Sequence, residues 1–161
     1  MKKLSVYVLT FVSAVLLASG CSQSEAAKST VFEYKNSYIG DNSAVFNIAK
    51  QLKHGEELKT MALQTKKKPY GITLNYKEIQ ADNLEKEQKE TALSNATYLF
   101  TLVKNADTVT FKFPDQDVMI SRAKLEDWYN VTLQDYKKEE ELQKLINKHL
   151  KSDTKMDSVF S

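Results

Sequence analysis

The apolar positions of this 161-residue chain form short runs of period two separated by longer runs of period near 3.6, as strands alternating with helices would require. Val31, Phe32 and Tyr34 alternate through residues 31–35 and predict a first strand. Asp41, Asn42 and Ser43 are good helix-capping residues; Val45, Ile48, Ala49 and Leu52 follow at helical spacing, and His54-Gly55 supplies a stop. Residues 58–65, with Met61 and Leu63 on one face, predict a second strand. Tyr70, Ile72, Leu74 and Tyr76 alternate with Gly71, Thr73, Asn75 and Lys77 in a third. Lys66-Lys67-Lys68-Pro69 lies between these two, polar and holding a proline that cannot donate to a ladder, so the pair reads as an antiparallel hairpin.

From Asp82 a charged stretch passes into a stripe of Ala92, Ala96, Leu99, Leu102 and Val103, predicting a helix that is solvated over residues 84–90 and packed on the sheet thereafter. Val109, Phe111 and Phe113, then Val118-Met119-Ile120 beyond the turn Pro114-Asp115-Gln116, predict a second hairpin. Ser121 is placed to cap a short helix with Leu125, Trp128 and Tyr129. Thr132 with Asp135 matches the capping-box spacing and predicts a last helix with Leu133, Tyr136, Leu142, Leu145, Ile146 and Leu150 on one face.

The expected order is β-α-β-β-α-β-β-α-α. It describes a single α+β domain over residues 31–150, with a largely antiparallel sheet of about five strands and helices on one face. Residues 151–161 read as a polar, frayed C-terminal tail.

Ahead of the domain the pattern changes character. Lys2 and Lys3 precede an uncharged run over residues 4–18, the layout of a secretory signal over residues 1–20. That run falls short of the roughly 20 residues that a membrane span needs. Leu17-Ala18-Ser19-Gly20-Cys21 puts small residues before the only cysteine and resembles the lipobox read by lipoprotein signal peptidase, although Ala18 stands where leucine is commonest. A lone thiol in an exported protein can form no internal disulfide. Lipid on Cys21 removes that anomaly, and two or more acyl chains anchor stably where one does not. Residues 21–30 then form a tether, whose nine polar residues as a coil reach on the order of 15–18 Å. The expected location is the outer, extracytoplasmic face of the cell membrane.

Charge narrows the partners. The chain carries 23 Lys and Arg against 21 Asp and Glu, and loss of Lys2 and Lys3 with the leader balances the two. Arg122 is the only arginine, whereas phosphate and base-edge recognition favour arginine, so nucleic acid is not expected as a partner. Lys66, Lys67 and Lys68 could orient the domain on an anionic surface at about 1 kcal/mol each. The membrane, through Cys21, and an envelope protein or cell-wall ligand are the expected partners.

No residue pattern names a reaction. Nucleophilic catalysis needs a nucleophile beside a base; Cys21 is taken by lipid, His54 sits at a helix end, and His149, in the last helix near Leu145 and Ile146, reads as a boundary residue in preference to a base. Neither histidine has a second ligand at zinc spacing. Asp115-Gln116-Asp117 reads as a solvated turn in preference to a cation loop. No metal or cofactor is expected. Two loops stand out, Asn36 to Asn42 and Thr65 to Gly71, each joining aromatic, polar and backbone-permissive residues. Loops on a rigid scaffold commonly carry recognition, while a helix cap and a hairpin turn are the plainer readings.

The segments YKNSYIGDNS at 34–43 and LQTKKKPYGITLNY at 63–76 resemble an uncharacterised domain family of Gram-positive bacteria, catalogued as a domain of unknown function. The resemblance covers roughly residues 31–113 and implies an envelope domain, found in small lipoproteins and extracytoplasmic parts of membrane proteins, from a Bacillus-like or related source. It carries no assigned chemistry. Tyr38, Gly40, Asp41, Asn42, Pro69, Tyr70 and Gly71 match the motifs and are the candidate binding residues. The leading expectation is a non-enzymatic binding or sensory module of the envelope. The alternative is an envelope hydrolase using Asp41 with a second carboxylate.

Overall fold

The computed structural model describes residues 30–151 and 153–160, so the leader, Cys21 and the tether lie outside the described residues. A 3-10 turn, Val31–Tyr34, opens the fold. It is followed by α1 Asn42–Gln51, β1 Leu58–Gln64, β2 Gly71–Tyr76, α2 Leu84–Leu102, β3 Thr108–Lys112, β4 Asp117–Ser121 and α3 Arg122–Tyr129. A second 3-10 turn, Leu133–Asp135, leads to α4 Glu139–Leu150 and α5 Asp153–Phe160.

The sheet has four strands in the order β1-β2-β3-β4. Both hairpins are antiparallel, as their alternation predicts, with Ala62 opposite Thr73 in one and Thr110 opposite Met119 in the other. β2 and β3 run parallel, with Ile72 opposite Val109. A parallel pair needs a long crossover, and α2 supplies it. Ile72, Leu74, Tyr76, Val109, Phe111, Val118 and Ile120 are buried on one face. Thr73, Thr110 and Met119 line up on the other, which is more open. Tyr76, Phe111 and Phe113 stack with centroids 5.3–6.5 Å apart across the buried face. Burial pushes the Tyr76 hydroxyl up to about 12, opposed by its hydrogen bond with Asn95.

Three helices begin where a short polar side chain can accept an otherwise unpaired N–H. Asp41 accepts from Ala44 at 3.0 Å, Asn83 from Lys86 at 3.1 Å and Ser121 from Lys124 at 3.3 Å. At the end of α1, His54 takes the left-handed conformation at φ 57°. Gly55 follows so close to the helix that a Cβ would lie 2.1 Å from the Lys50 carbonyl oxygen.

Several expectations need correction. Residues 31–35 are no strand, which is why the sheet has four strands where about five were expected. Glu33 N–H donates to Thr30 O and Lys35 N–H to Phe32 O, both at 3.0 Å, closing 3-10 turns. Phe32 instead packs edge-on to Tyr98 of α2 at 6.5 Å. The capping box expected at Thr132 does not form: Thr132 makes no side-chain cap and precedes only the turn Leu133–Asp135, and α4 starts at Glu139, also without a side-chain cap. The stretch expected as a frayed tail includes α5, whose Met156 and Val159 are buried. Nor is the first part of α2 wholly solvated. Gln88 is buried, donates to Asp115 Oδ1 at 2.7 Å and accepts from the Gln116 side chain, tying the β3–β4 turn to the helix.

α2 is also buried more broadly than a one-sided stripe predicts. Thr91, Thr97 and Thr101 lie inside, each hydroxyl donating to the carbonyl four residues back at 2.6–2.8 Å. This back-bonding satisfies a polar group where no water reaches it.

Candidate functional site

The two loops singled out by composition are far apart in sequence but hang from one short connection, residues 103–107 between α2 and β3. On the first loop, Ser37 O accepts the Lys104 N–H at 2.8 Å and Ile39 N–H donates to Asn105 Oδ1 at 2.8 Å. On the second, Tyr70 O accepts the Asp107 N–H at 2.9 Å, and Tyr70 N–H donates to Asp107 Oδ2 at 2.7 Å. Asn105 and Asp107 thus hold the loops with side chains, and Ser37 adds a parallel bridge to Val103.

Between these anchors Tyr38 is left 56% exposed, with the Lys104 ammonium 5.4 Å from its ring centroid, within cation–π range. Ile39, its neighbour, is buried and fixes the loop to the core. Gly40 is exposed, has no positive φ, and would meet nothing within 4 Å if it carried a Cβ. Its own fold therefore does not demand glycine. Asp41 has a structural task, capping α1, and Asn42 is the first residue of that helix.

On the second loop the Lys68–Pro69 bond is cis. Lys68 lies 5.8 Å from the Tyr70 ring centroid, and Tyr70 is half-buried at the start of β2. A Cβ on Gly71 would come within 3.0 Å of Thr108 Oγ1, so glycine lets β3 approach. Beside this loop opens a cleft of about 600 Å³ lined by Lys68, Pro69, Asp107, Ser121, Arg122 and Glu126 among others. A second cleft, about 450 Å³, lies near Val31, Lys53, Tyr98 and Glu139 and includes none of the motif residues.

Arg122 is the residue that composition flagged without assigning a role. Its guanidinium donates to Phe100 O and Val103 O at 2.6 Å and to Ala106 O at 2.8 Å, capping the end of α2 and gripping the connection that carries both loops. Burial lowers its pKa, opposed by the charges of Glu126 and Asp107. The planar fork of an arginine suits several carbonyls at fixed angles, which a lysine cannot match. Glu126 accepts the Leu133 N–H at 3.0 Å and lies 3.7 Å from Arg122. The only sequence signal for this role was the rarity of the residue type.

The histidines have other surroundings. His54 Nε2 lies 2.7 Å from Glu87 Oε1 and its Nδ1 3.5 Å from Glu57 Oε2, while Lys53 reaches Glu87 and Glu90 at 3.1 and 3.3 Å. His149 packs its ring against Trp128 and Tyr129 at 4.9 and 4.8 Å. Among the described residues, no group of three or more His, Cys, Asp or Glu is arranged to hold a metal ion, and no helix is long and apolar enough to cross a membrane.

The fold and the paired loops define a small α+β domain whose irregular edge is organised around a single connection. The chain belongs to the family described as Domain of unknown function (DUF4825), whose model matches residues 31–126. That span runs past residue 113 to Glu126, so it takes in the sheet, both loops, Arg122 and the cleft, whereas α4 and α5 fall outside it. No match was found among curated proteins or solved structures.

Proposed function

We propose that this chain is a lipoprotein, anchored through Cys21 on the outer face of the cell membrane, whose domain is a non-enzymatic binding or sensory module of the envelope. Its recognition edge consists of the two loops, with Tyr38, Gly40 and Lys104 on one side and Lys68, Pro69 and the adjoining cleft on the other. The observation that carries this reading is the double attachment of the loops to residues 103–107, where Asn105 and Asp107 each hold one loop. A core does not need two sequence-distant loops pinned side by side with an aromatic ring left outside. Preorganised polar and aromatic groups are what a binding surface requires, since ordering them beforehand lowers the cost of association.

The partner is an envelope protein or a cell-wall ligand. Asp41 caps a helix and the Tyr70 ring packs partly buried against the core, so substituting either disturbs the fold as well as the edge. Tyr38→Ala with Lys68→Glu changes exposed groups and leaves the caps intact. A photoreactive residue at position 38 is expected to form adducts with an envelope component or with purified cell-wall sacculi, and Lys68→Glu is expected to weaken them. The same adducts in equal yield from position 119, on the sheet's opposite edge strand, would reject the edge. Mass spectrometry of the mature N-terminus tests the anchor separately: diacylglycerol on Cys21 is expected, and a free thiol or another cleavage point would overturn it.

A further inference from the structure

The sheet has two edges, and they are treated differently. β4 is flanked by α5: Phe160, Lys89 and Met119 line a shallow pocket there. At β1, no described element pairs with the outer side of the strand. An unpaired edge is a template for another strand unless charge, a bulge or proline blocks it. A bulge does interrupt β1 between Leu58 and Thr60. What remains regular is Thr60-Met61-Ala62-Leu63-Gln64, with neither charge nor proline and with Ala62 at its centre.

We infer that β1 is an interaction surface for a second copy of this chain, the two strands pairing antiparallel about a two-fold axis at Ala62. Two observations converge on that register, and a third adds exposed apolar surface on α1. The helix-side residues Met61 and Leu63, left half-buried in one copy, stand opposite Leu63 and Met61 of the other and bury each other further. Glu56 and Glu57 precede the strand while Lys66, Lys67 and Lys68 follow it, so antiparallel pairing brings the acidic end of each copy to the basic end of the other. Finally α1, which packs beside β1, carries Phe46, 42% exposed. A closed two-fold contact of this kind uses the same patch on both copies and does not propagate into a fibre.

The strand alone buries less than the about 1,200 Å² typical of stable complexes, so the contact is weak in dilute solution and is best read by trapping. Residues directly opposite in an antiparallel pair have Cα atoms about 4.5–5.5 Å apart, inside the range a disulfide bridges. The full chain carrying Ala62→Cys, in membranes under mild oxidation, is expected to give a species of doubled mass. The unsubstituted chain and Met119→Cys should give several-fold less. Lys66→Glu, Lys67→Glu and Lys68→Glu together should cut the Ala62→Cys yield several-fold, and co-expression with a Glu56→Lys, Ala62→Cys chain should recover it. Equal trapping from Met119→Cys, no trapping from Ala62→Cys, indifference to the charge reversal, or an adduct with a different protein would each overturn the inference. Should Ala62→Cys perturb folding, sedimentation of the unsubstituted full chain in detergent decides: a reversible dimer is expected, and a monomer at every concentration rejects it.

Discussion

The two hairpins share a local design and differ in how the rest of the molecule holds them. In β3–β4 the inward residues Val109, Phe111, Val118 and Ile120 are all buried, the turn is tied to Gln88, and the strand entering α3 delivers Arg122 to three backbone carbonyls. In β1–β2 the outer strand buries only Leu58, and Met61 and Leu63 remain half-buried. The segment leading into β1 is held by ionisable groups, His54 and Lys53 against Glu57, Glu87 and Glu90. Both strands of β3–β4 are secured by apolar burial, whereas in β1–β2 that holds for β2 alone, and the outer strand β1 is entered through charges near the surface. Burial therefore concentrates in β2, β3 and β4, leaving β1 available for contact.

The sharpest break of that contrast is a pair of truncations. Phe111→Ala is expected to cost about 3–5 kcal/mol, since it empties a fully buried, ring-stacked position. Leu63→Ala should cost about 1 kcal/mol, because half-burial forfeits only part of the transfer energy of a leucine. Equal losses in urea unfolding would dissolve the distinction. Next in size, Arg122→Lys is expected to cost about 2–3 kcal/mol, a single ammonium being unable to satisfy three carbonyls in their present geometry. A wild-type unfolding midpoint would show that the grip on residues 103–107 is dispensable.

Asp41→Ala should remove about 1 kcal/mol through the lost cap of α1, and Asp41→Ser should restore most of it. Rescue by serine in a thermal melt distinguishes a cap from a carboxylate needed for its charge. The smallest effect is in acid. Burial pushes the Glu87 pKa up, but hydrogen bonds from His54 and Lys53 and their charges outweigh it, leaving the pKa below its ordinary 4.5. A depressed carboxylate pKa contributes stability that is complete above pH 4.5 and is lost as the pH falls from there through the lower folded value. Glu87→Gln should flatten that part of the acid limb, with the remaining slope set by other carboxylates. An unchanged urea midpoint against pH would show that the His54 contacts add nothing to the hold on β1.

Much of the fold was legible from residues because its signals are local. Both hairpins follow from period-two alternation, and Asp41 and Ser121 are caps by chemistry that acts within three residues. The two candidate loops were legible as composition, but their common anchor was not. Asn105 and Asp107 are unremarkable in sequence, and nothing within a few positions of either points to a loop more than thirty-five residues away. Residues 31–35 were misread for a related reason. Val31, Phe32 and Tyr34 suit a strand, but a strand needs a neighbour, and this segment found the side of α2 instead.

By itself, then, the sequence determined the alternation that makes four strands, the caps that start α1 and α3 and the polar loops between them, since each rests on contacts made within a few residues. Only the tertiary structure decided that a segment rich in Val, Phe and Tyr turns into 3-10 helix and that a polar C-terminal stretch becomes α5 by burying Met156 and Val159. It also decided that one arginine holds the connection on which both loops depend. Those outcomes turn on which surfaces meet after the chain has collapsed. A buried carbonyl or a half-covered leucine takes the partner that packing brings near, and that partner can stand anywhere along the chain.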